Sequence, residues 1–156
     1  MLLKNQSQVI FFKINELIHL FSFNGTQPIE KSAPYKSTTH IHDGIQMTEY
    51  ENEPFVIGDY KHNKVEFLHL SHEQWYTASP FRSEKPIFGY SAVSRPGKVF
   101  ILGGCCDHWQ SVSIFENDEW QYHGKLGHGR MNFMTITYGT DLMIIGGTPK
   151  NATTKS

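Results

Sequence analysis

The apolar positions of this chain fall into short runs closed by glycine. Val99-Phe100-Ile101-Leu102 ends in Gly103-Gly104, and Leu142-Met143-Ile144-Ile145 ends in Gly146-Gly147, 43 residues later. A third copy, Phe55-Val56-Ile57, closes on Gly58, 45 residues before Gly103, with Asp59 where the second glycine would stand. Such runs are too short for core helices and fit strands buried on both faces. Turn residues precede two of them: Arg95-Pro96-Gly97-Lys98 and Tyr138-Gly139-Thr140-Asp141. Both are chemistry for reversing the chain between adjacent strands.

Tryptophan gives an independent register. Trp75 follows Gly58 by 17 residues, and Trp120 follows Gly103 by the same 17. Superposed without a gap, Leu70 falls opposite Phe115, each five residues before its tryptophan, and Glu73 falls opposite Asp118. Upstream of the glycines, Phe88 to Val93 aligns with Met131 to Ile136. Landmarks held in constant register mark an internal repeat of about 43–45 residues,.

This pattern resembles the kelch repeat over residues 45–148, two-thirds of the chain. In that family a second strand ends in Gly-Gly, a third carries an aromatic and a fourth starts at Trp. The resemblance implies an all-β fold: a partial, open β-propeller of about three four-stranded antiparallel blades. The chain departs from the pattern in places. The family's arginine at the start of the first strand is present as Arg130, but the preceding copy has Ile87. Leu70-Ser71 and Phe115-Glu116 stand where a Tyr-Asp pair is usual.

The resulting organisation has four parts. Residues 1–44 are an N-terminal segment holding the outer hairpin of an incomplete blade, and 45–86 and 87–128 are two kelch-like blades. Residues 129–156 are the first half of a further blade with a polar tail. Gly58, Gly103, Gly104, Gly146 and Gly147 are expected where a side chain would clash or φ is positive. Trp75 and Trp120 are expected in the wedge between blades, where a large ring buries most area. Val99 to Leu102 and Leu142 to Ile145 are expected as inner strands covered on both faces, with Lys98 and Asp141 in the preceding turns.

The N-terminal segment is less regular. Leu20-Phe21-Ser22-Phe23 running into Asn24-Gly25 reads as a strand entering a tight turn. Residues 17–23 are expected as strand. Residues 2–18 are compatible with a short helix, because Ile10, Ile14, Leu17 and Phe21 share one helical face. Lys31 to Thr39 reads as loop and Lys150 to Ser156 as tail. Propellers close with 4–8 blades. About three blades therefore imply an open arc, part of a larger propeller or completed by assembly, with edges prone to self-association.

Composition narrows the partners. With 14 Lys and Arg against 15 Asp and Glu, and no basic stripe, nucleic acid is excluded as the expected partner,. No run of 18 apolar residues marks a membrane span. Lys13, Asn15 and Glu16 interrupt the N-terminal apolar stretch, against a signal peptide. The two cysteines, Cys105 and Cys106, are adjacent and make no disulfide framework, since neighbours reach ordinary disulfide geometry only with strain,. These points lean cytoplasmic. N-x-S/T triplets at Asn5, Asn24 and Asn151 argue the other way.

In a propeller blade, the second-to-third loop and the fourth-to-first connection share a rim. Here these are 59–64, 105–110, 78–86 and 123–130. Loops on a rigid scaffold are the usual place for binding. The candidate binding residues are Tyr60, Phe81, Arg82, Asp107, His108, Trp109, His128 and Arg130, since aromatics and arginine are enriched at binding hot spots. The plainer reading packs Trp109 on its own blade and has Arg130 brace its strand. Cys105-Cys106-Asp107-His108 and His40-Ile41-His42 lack the paired spacing of a zinc site, so no metal is expected. No cofactor and no catalytic residue are expected either.

The class this favours is a protein–protein interaction module, not an enzyme, whose protein partner the sequence leaves unnamed. Two alternatives are a propeller-enzyme fragment, oxidase or sugar-modifying, and an extracellular adhesion module. The first needs Tyr, His and Cys or paired acids converging from several blades. The second would carry glycans on Asn24 or Asn151.

Overall fold

Every element formed by the described residues is an antiparallel strand. The structure, a computed structural model, describes residues 8–14, 17–24, 27–30, 35–36, 45–58, 64–69, 72, 74–81 and 87–150. The chain divides into two units, Met1–His40 and Ile41–Ser156.

The first unit is one sheet. Strand β1 (Gln8–Ile14) pairs with β2 (Leu17–Asn24), which pairs with β3 (Gln27–Glu30) and also with β4 (Tyr35–Lys36). The Asn24↔Gln27 pair closes the hairpin expected at Asn24-Gly25. The helix allowed over residues 2–18 gives way to β1. Val9-Ile10-Phe11-Phe12 is a β-branched and aromatic run that favours a pleated strand, and all seven residues of β1 pair with β2. The loop expected over 31–39 contains the short β4.

The second unit repeats one motif. Strands β5 (Gln46–Tyr50), β6 (Glu53–Ile57), β7 (Val65–His69) and β8 (Gln74–Ala78) form a four-stranded meander in sequence order. Strands β9 (Ser91–Arg95), β10 (Lys98–Leu102), β11 (Ser111–Glu116) and β12 (Glu119–Lys125) form a second. Strands β13 (Arg130–Tyr138) and β14 (Asp141–Pro149) form a two-stranded sheet. The first strands of the three sheets are neighbours, β9 touching both β5 and β13.

The glycine-anchored register is the same in two copies. Ser91 pairs with Leu102 and Arg95 with Lys98. Forty-three residues on, Met134 pairs with Ile145 and Tyr138 with Asp141. Gly89 and Asn132, equivalent positions, both take positive φ, 67° and 54°. Asparagine is among the few residue types that tolerate the left-handed region.

The ungapped match of Leu70 with Phe115 needs correction. Trp75 pairs with Leu68, and Trp120 pairs with Phe115, so Leu68 is the true counterpart of Phe115. Ile57 pairs with Val65 across the β6–β7 loop, whereas Leu102 pairs with Val112 across the β10–β11 loop. The first loop is thus two residues shorter (57 to 65 against 102 to 112), and the following turn is two longer (68 to 75 against 115 to 120). The changes cancel, which keeps the Gly-to-Trp spacing constant.

An aromatic wedge lies between the two meanders. Phe55 of β6 meets Phe115 of β11 with ring centroids 4.9 Å apart, and Tyr50 of β5 meets Phe115 at 5.2 Å, edge on. Trp120 continues the stack at 5.1 Å from Phe115. Tilted and edge-to-face pairs at such distances add to the burial of apolar area. Tyr90, also buried, donates its hydroxyl to the Ile57 carbonyl at 3.1 Å, which ties the start of β9 to the end of β6. Buried Glu66 pairs with Lys64 at 2.9 Å.

One inner strand departs from expectation. Val99, Ile101 and Leu102 are buried, but β14 is not covered on both faces. Met143 and Ile145 are exposed, as are Ile136 and Met134 across from them and Tyr138 further along β13. The reason is geometric: the equivalent Tyr50 and Phe55 are covered by Phe115 on the third strand of the next sheet, and β13–β14 has no such neighbour among the described residues.

Candidate functional site

The loop closing β10 and the connection entering β13 are zipped together. The Gly104 amide donates to the Arg130 carbonyl at 3.0 Å, and the Arg130 amide donates to the Trp109 carbonyl at 2.8 Å. The Leu126 amide donates to the Gln110 carbonyl at 2.7 Å. Gln110 also donates its side-chain amide to the Leu126 carbonyl at 3.3 Å. Backbone bonds of this kind remove loop freedom before any partner arrives, which lowers the ordering cost of binding.

The paired glycines explain how close the approach is. A Cβ on Gly103 would lie 2.6 Å from the Arg130 carbonyl oxygen and 2.8 Å from the Phe133 ring. One on Gly104 would meet Ile87 at 2.9 Å, within its own repeat. The first glycine of the pair thus faces the next sheet and the second faces its own. Gly147 repeats the second role, against Phe133 and the Met131 carbonyl, while Gly146 has nothing within 4 Å. Gly58 places its amide on the Lys64 carbonyl at 2.5 Å, as Gly103 does on the Ser111 carbonyl at 2.8 Å.

The candidate residues separate accordingly. Asp107 and His128 are exposed, and His108 and Trp109 are half-buried. Trp109 packs its Cβ over Gly129, where an added methyl would come within 2.9 Å. Arg130 is half-buried and donates from its guanidinium to the Gly146 carbonyl at 3.1 Å, bracing β14. Phe81 is no rim contact. It is 6% exposed and meets Trp120 edge on at 5.0 Å, because the segment after β8 folds back under the next sheet. Tyr60 and Arg82 lie outside the described residues.

His108 joins the connections at this end. Its ring lies 6.1 Å from Phe81, edge on, and its Nδ1 is 3.3 Å from the Ser111 hydroxyl. That hydroxyl donates its one proton to the His108 carbonyl at 3.0 Å. A hydroxyl with its proton committed can only accept from the ring, so Nδ1 carries the proton. Burial, opposed by the nearby Asp107 carboxylate, holds the imidazole pKa below its usual value.

Cys105 is buried and Cys106 exposed, and their sulfurs lie 3.0 Å apart. Burial, with the hydrogen bond to Cys106, pushes the Cys105 thiol up to about 11. A shift in this direction leaves little thiolate at neutral pH and disfavours Cys105 as the first of the two to attack an outside reagent. Among the described residues, no three His, Cys, Asp or Glu side chains gather where they could hold a metal ion. A shallow cavity of about 220 Å³ lies between sheets, lined by Ser79, Pro80, Glu119 and Trp120. Among the described residues no helix is long and apolar enough to cross a membrane.

Sequence reasoning missed Trp120's anchor. Its indole Nε1 donates to the Ser79 carbonyl at 2.9 Å, and the Ser79 amide donates to Asp118 Oδ1 at 3.1 Å. Neither Ser79 nor Asp118 carries a pattern that would single it out.

No protein-family model and no curated protein matches this chain. Solved structures do. The structure of YjhT superposes with a TM-score of 0.66 at 17% identity, over 85% of this chain and 46% of that one. The chain therefore shares that protein's fold while spanning about half its length: an all-β arrangement of repeated antiparallel sheets.

Proposed function

We propose that this chain is part of a kelch-like β-propeller and works as a protein-interaction module, presenting Asp107, His108, Trp109 and His128 on one rim. The supporting observation is the zipped loop pair, in which three backbone hydrogen bonds join residues 104–110 to 126–130. A preformed edge carrying an acid, two histidines and a half-buried indole suits a polar peptide or protein surface.

Affinity capture with quantitative mass spectrometry tests this reading. The full chain is compared with Asp107→Ala/Trp109→Ala, and with Thr140→Ala in the β13–β14 turn as a control. Proteins captured by wild type and by the control, but lost from the rim variant, support the proposal. Identical capture by all three folded proteins rejects it.

A second reading is self-association, favoured by the uncovered face of β13–β14. Tyr138 is 69% exposed, Met134 61% and Ile145 48%. Large apolar side chains gathered on one face are the usual mark of a contact surface. On this reading a second copy of the chain covers that face, packed through the same patch on both partners, since two-fold pairing is the commonest closed symmetry.

A further inference from the structure

We infer that Cys105 and Cys106 form a vicinal dithiol that reacts as a pair, in which exposed Cys106 exchanges with a small-molecule disulfide and buried Cys105 resolves the adduct into a reversible Cys105–Cys106 disulfide. This inference is independent of the interaction reading above.

The geometry is unusual for neighbouring residues. In extended backbone, consecutive side chains point to opposite faces. Here Cys106 takes φ of +61°, in the left-handed region, and the two sulfurs come to 3.0 Å. The backbone of Cys105 is held at both ends. Its amide donates to the Phe88 carbonyl at 2.9 Å, and its carbonyl accepts from the His108 amide at 3.1 Å. Cys105 is fixed by the segment entering β9 and by its own loop. Cys106 is the residue bent to meet it.

Exposure sets the order of events. Cys105 is 4% exposed, whereas Cys106 reaches solvent. The Cys106 thiol loses its proton, and its sulfur attacks one sulfur of a disulfide such as oxidised glutathione. The reagent's S–S bond breaks, and one glutathione leaves as thiol, taking up a proton. Cys105 then loses its proton and attacks the Cys106 sulfur. The mixed disulfide breaks, and the second glutathione leaves as thiol. Two protein thiols are oxidised, one disulfide reagent is reduced, and two protons pass to the released thiols. The high pKa of Cys105 disfavours it as first attacker, while its short distance to Cys106 favours it as resolver.

Strain makes the product easy to reverse. Adjacent Cα atoms lie about 3.8 Å apart across a trans peptide, below the roughly 4.4–6.8 Å of ordinary disulfides. Strained and accessible disulfides have the more oxidising potentials and are the readily reduced ones.

The test uses the full chain incubated with oxidised glutathione, trapped with an alkylating reagent, and measured as intact mass. Wild type is expected to lose the mass of two hydrogens, retain no glutathione and take up no alkyl group. Reduced glutathione should restore two alkylatable thiols. Cys105→Ser should stop at a stable glutathione adduct on Cys106, and Cys106→Ser should stay unreacted. A lasting adduct on wild type, a disulfide-linked dimer, or two thiols left free would each overturn the inference. The wild-type result stands by itself, so a variant that fails to fold does not obscure it.

Discussion

The indole Nε1 of Trp120 donates a 2.9 Å hydrogen bond to the carbonyl of Ser79, so the fourth strand of one sheet is fastened to the chain leaving the sheet before it. Trp75 holds the equivalent place in the preceding sheet, and its buried Nε1 has no hydrogen-bond partner among the described residues. Replacing either indole by phenylalanine removes similar ring volume, but only one replacement breaks a hydrogen bond. Trp120→Phe is therefore expected to cost about 1 kcal/mol more than Trp75→Phe, the net worth of such a bond. Trp120→Ala, which also empties the wedge beside Phe115 and Phe81, should cost roughly 3–5 kcal/mol. Urea unfolding followed by far-ultraviolet circular dichroism measures all three. Equal costs for the two phenylalanine variants would contradict the fastening role.

Gly103 and Gly146 share a left-handed backbone, with φ of 60° and 73°, but not their surroundings. Alanine at either position meets the same backbone penalty, about 1–2 kcal/mol. At Gly103 the new methyl would also press on the Arg130 carbonyl and the Phe133 ring, while at Gly146 it meets nothing within 4 Å. Gly103→Ala should be the more destabilising by about 1–3 kcal/mol, the usual cost of overpacking. Thermal unfolding of the two single variants decides the matter, and comparable losses would show that the sheets separate easily there.

Burial lowers the His108 pKa in the folded chain, so the unfolded chain binds a proton more readily than the folded one. Stability then rises with pH wherever this residue titrates. Its contribution is present above the ordinary imidazole value of 6.5 and is lost as pH falls below it. Between pH 7 and 5, wild type should lose stability more steeply than His108→Gln, whose side chain does not titrate. Chemical denaturation across that range gives both slopes. A variant slope as steep as that of wild type would assign the loss to other groups.

The repeat was legible because its landmarks answer to fixed physical demands. Gly103 and Gly146 sit where φ is positive, and Leu102 pairs with Ser91 as Ile145 pairs with Met134, each partner 43 residues on. Other features were hidden for equally physical reasons. The swap of two residues between the β6–β7 loop and the β7–β8 turn leaves every landmark spacing unchanged, so Leu70 stood in for Leu68. Phe81 has the composition of a rim aromatic, and only the fold-back of Ser79-Pro80 beneath Trp120 places it in the core. The paired positive φ of Gly89 and Asn132 did carry a signal, since both residue types tolerate that conformation at one repeat position,.

The uncovered face of β13–β14 makes the self-association reading measurable. In the first meander, Tyr50 and Phe55 are covered by Phe115, and the register places Tyr138 and Met143 at the corresponding points of the third sheet. Their exposure leaves apolar area in water that association would remove, at about 25 cal/mol per Å² of buried surface before the costs of ordering. Sedimentation equilibrium should show wild type shifting from monomer to dimer as its concentration rises. Met134→Glu/Ile145→Lys should abolish the shift with little loss of fold, since both side chains are exposed in the single chain. Tyr122→Ser, an exposed aromatic on β12 of the second meander, should leave the shift intact. A wild-type chain that stays monomeric throughout, or a Tyr122 variant as impaired as the double variant, would remove the face from consideration as a contact between copies.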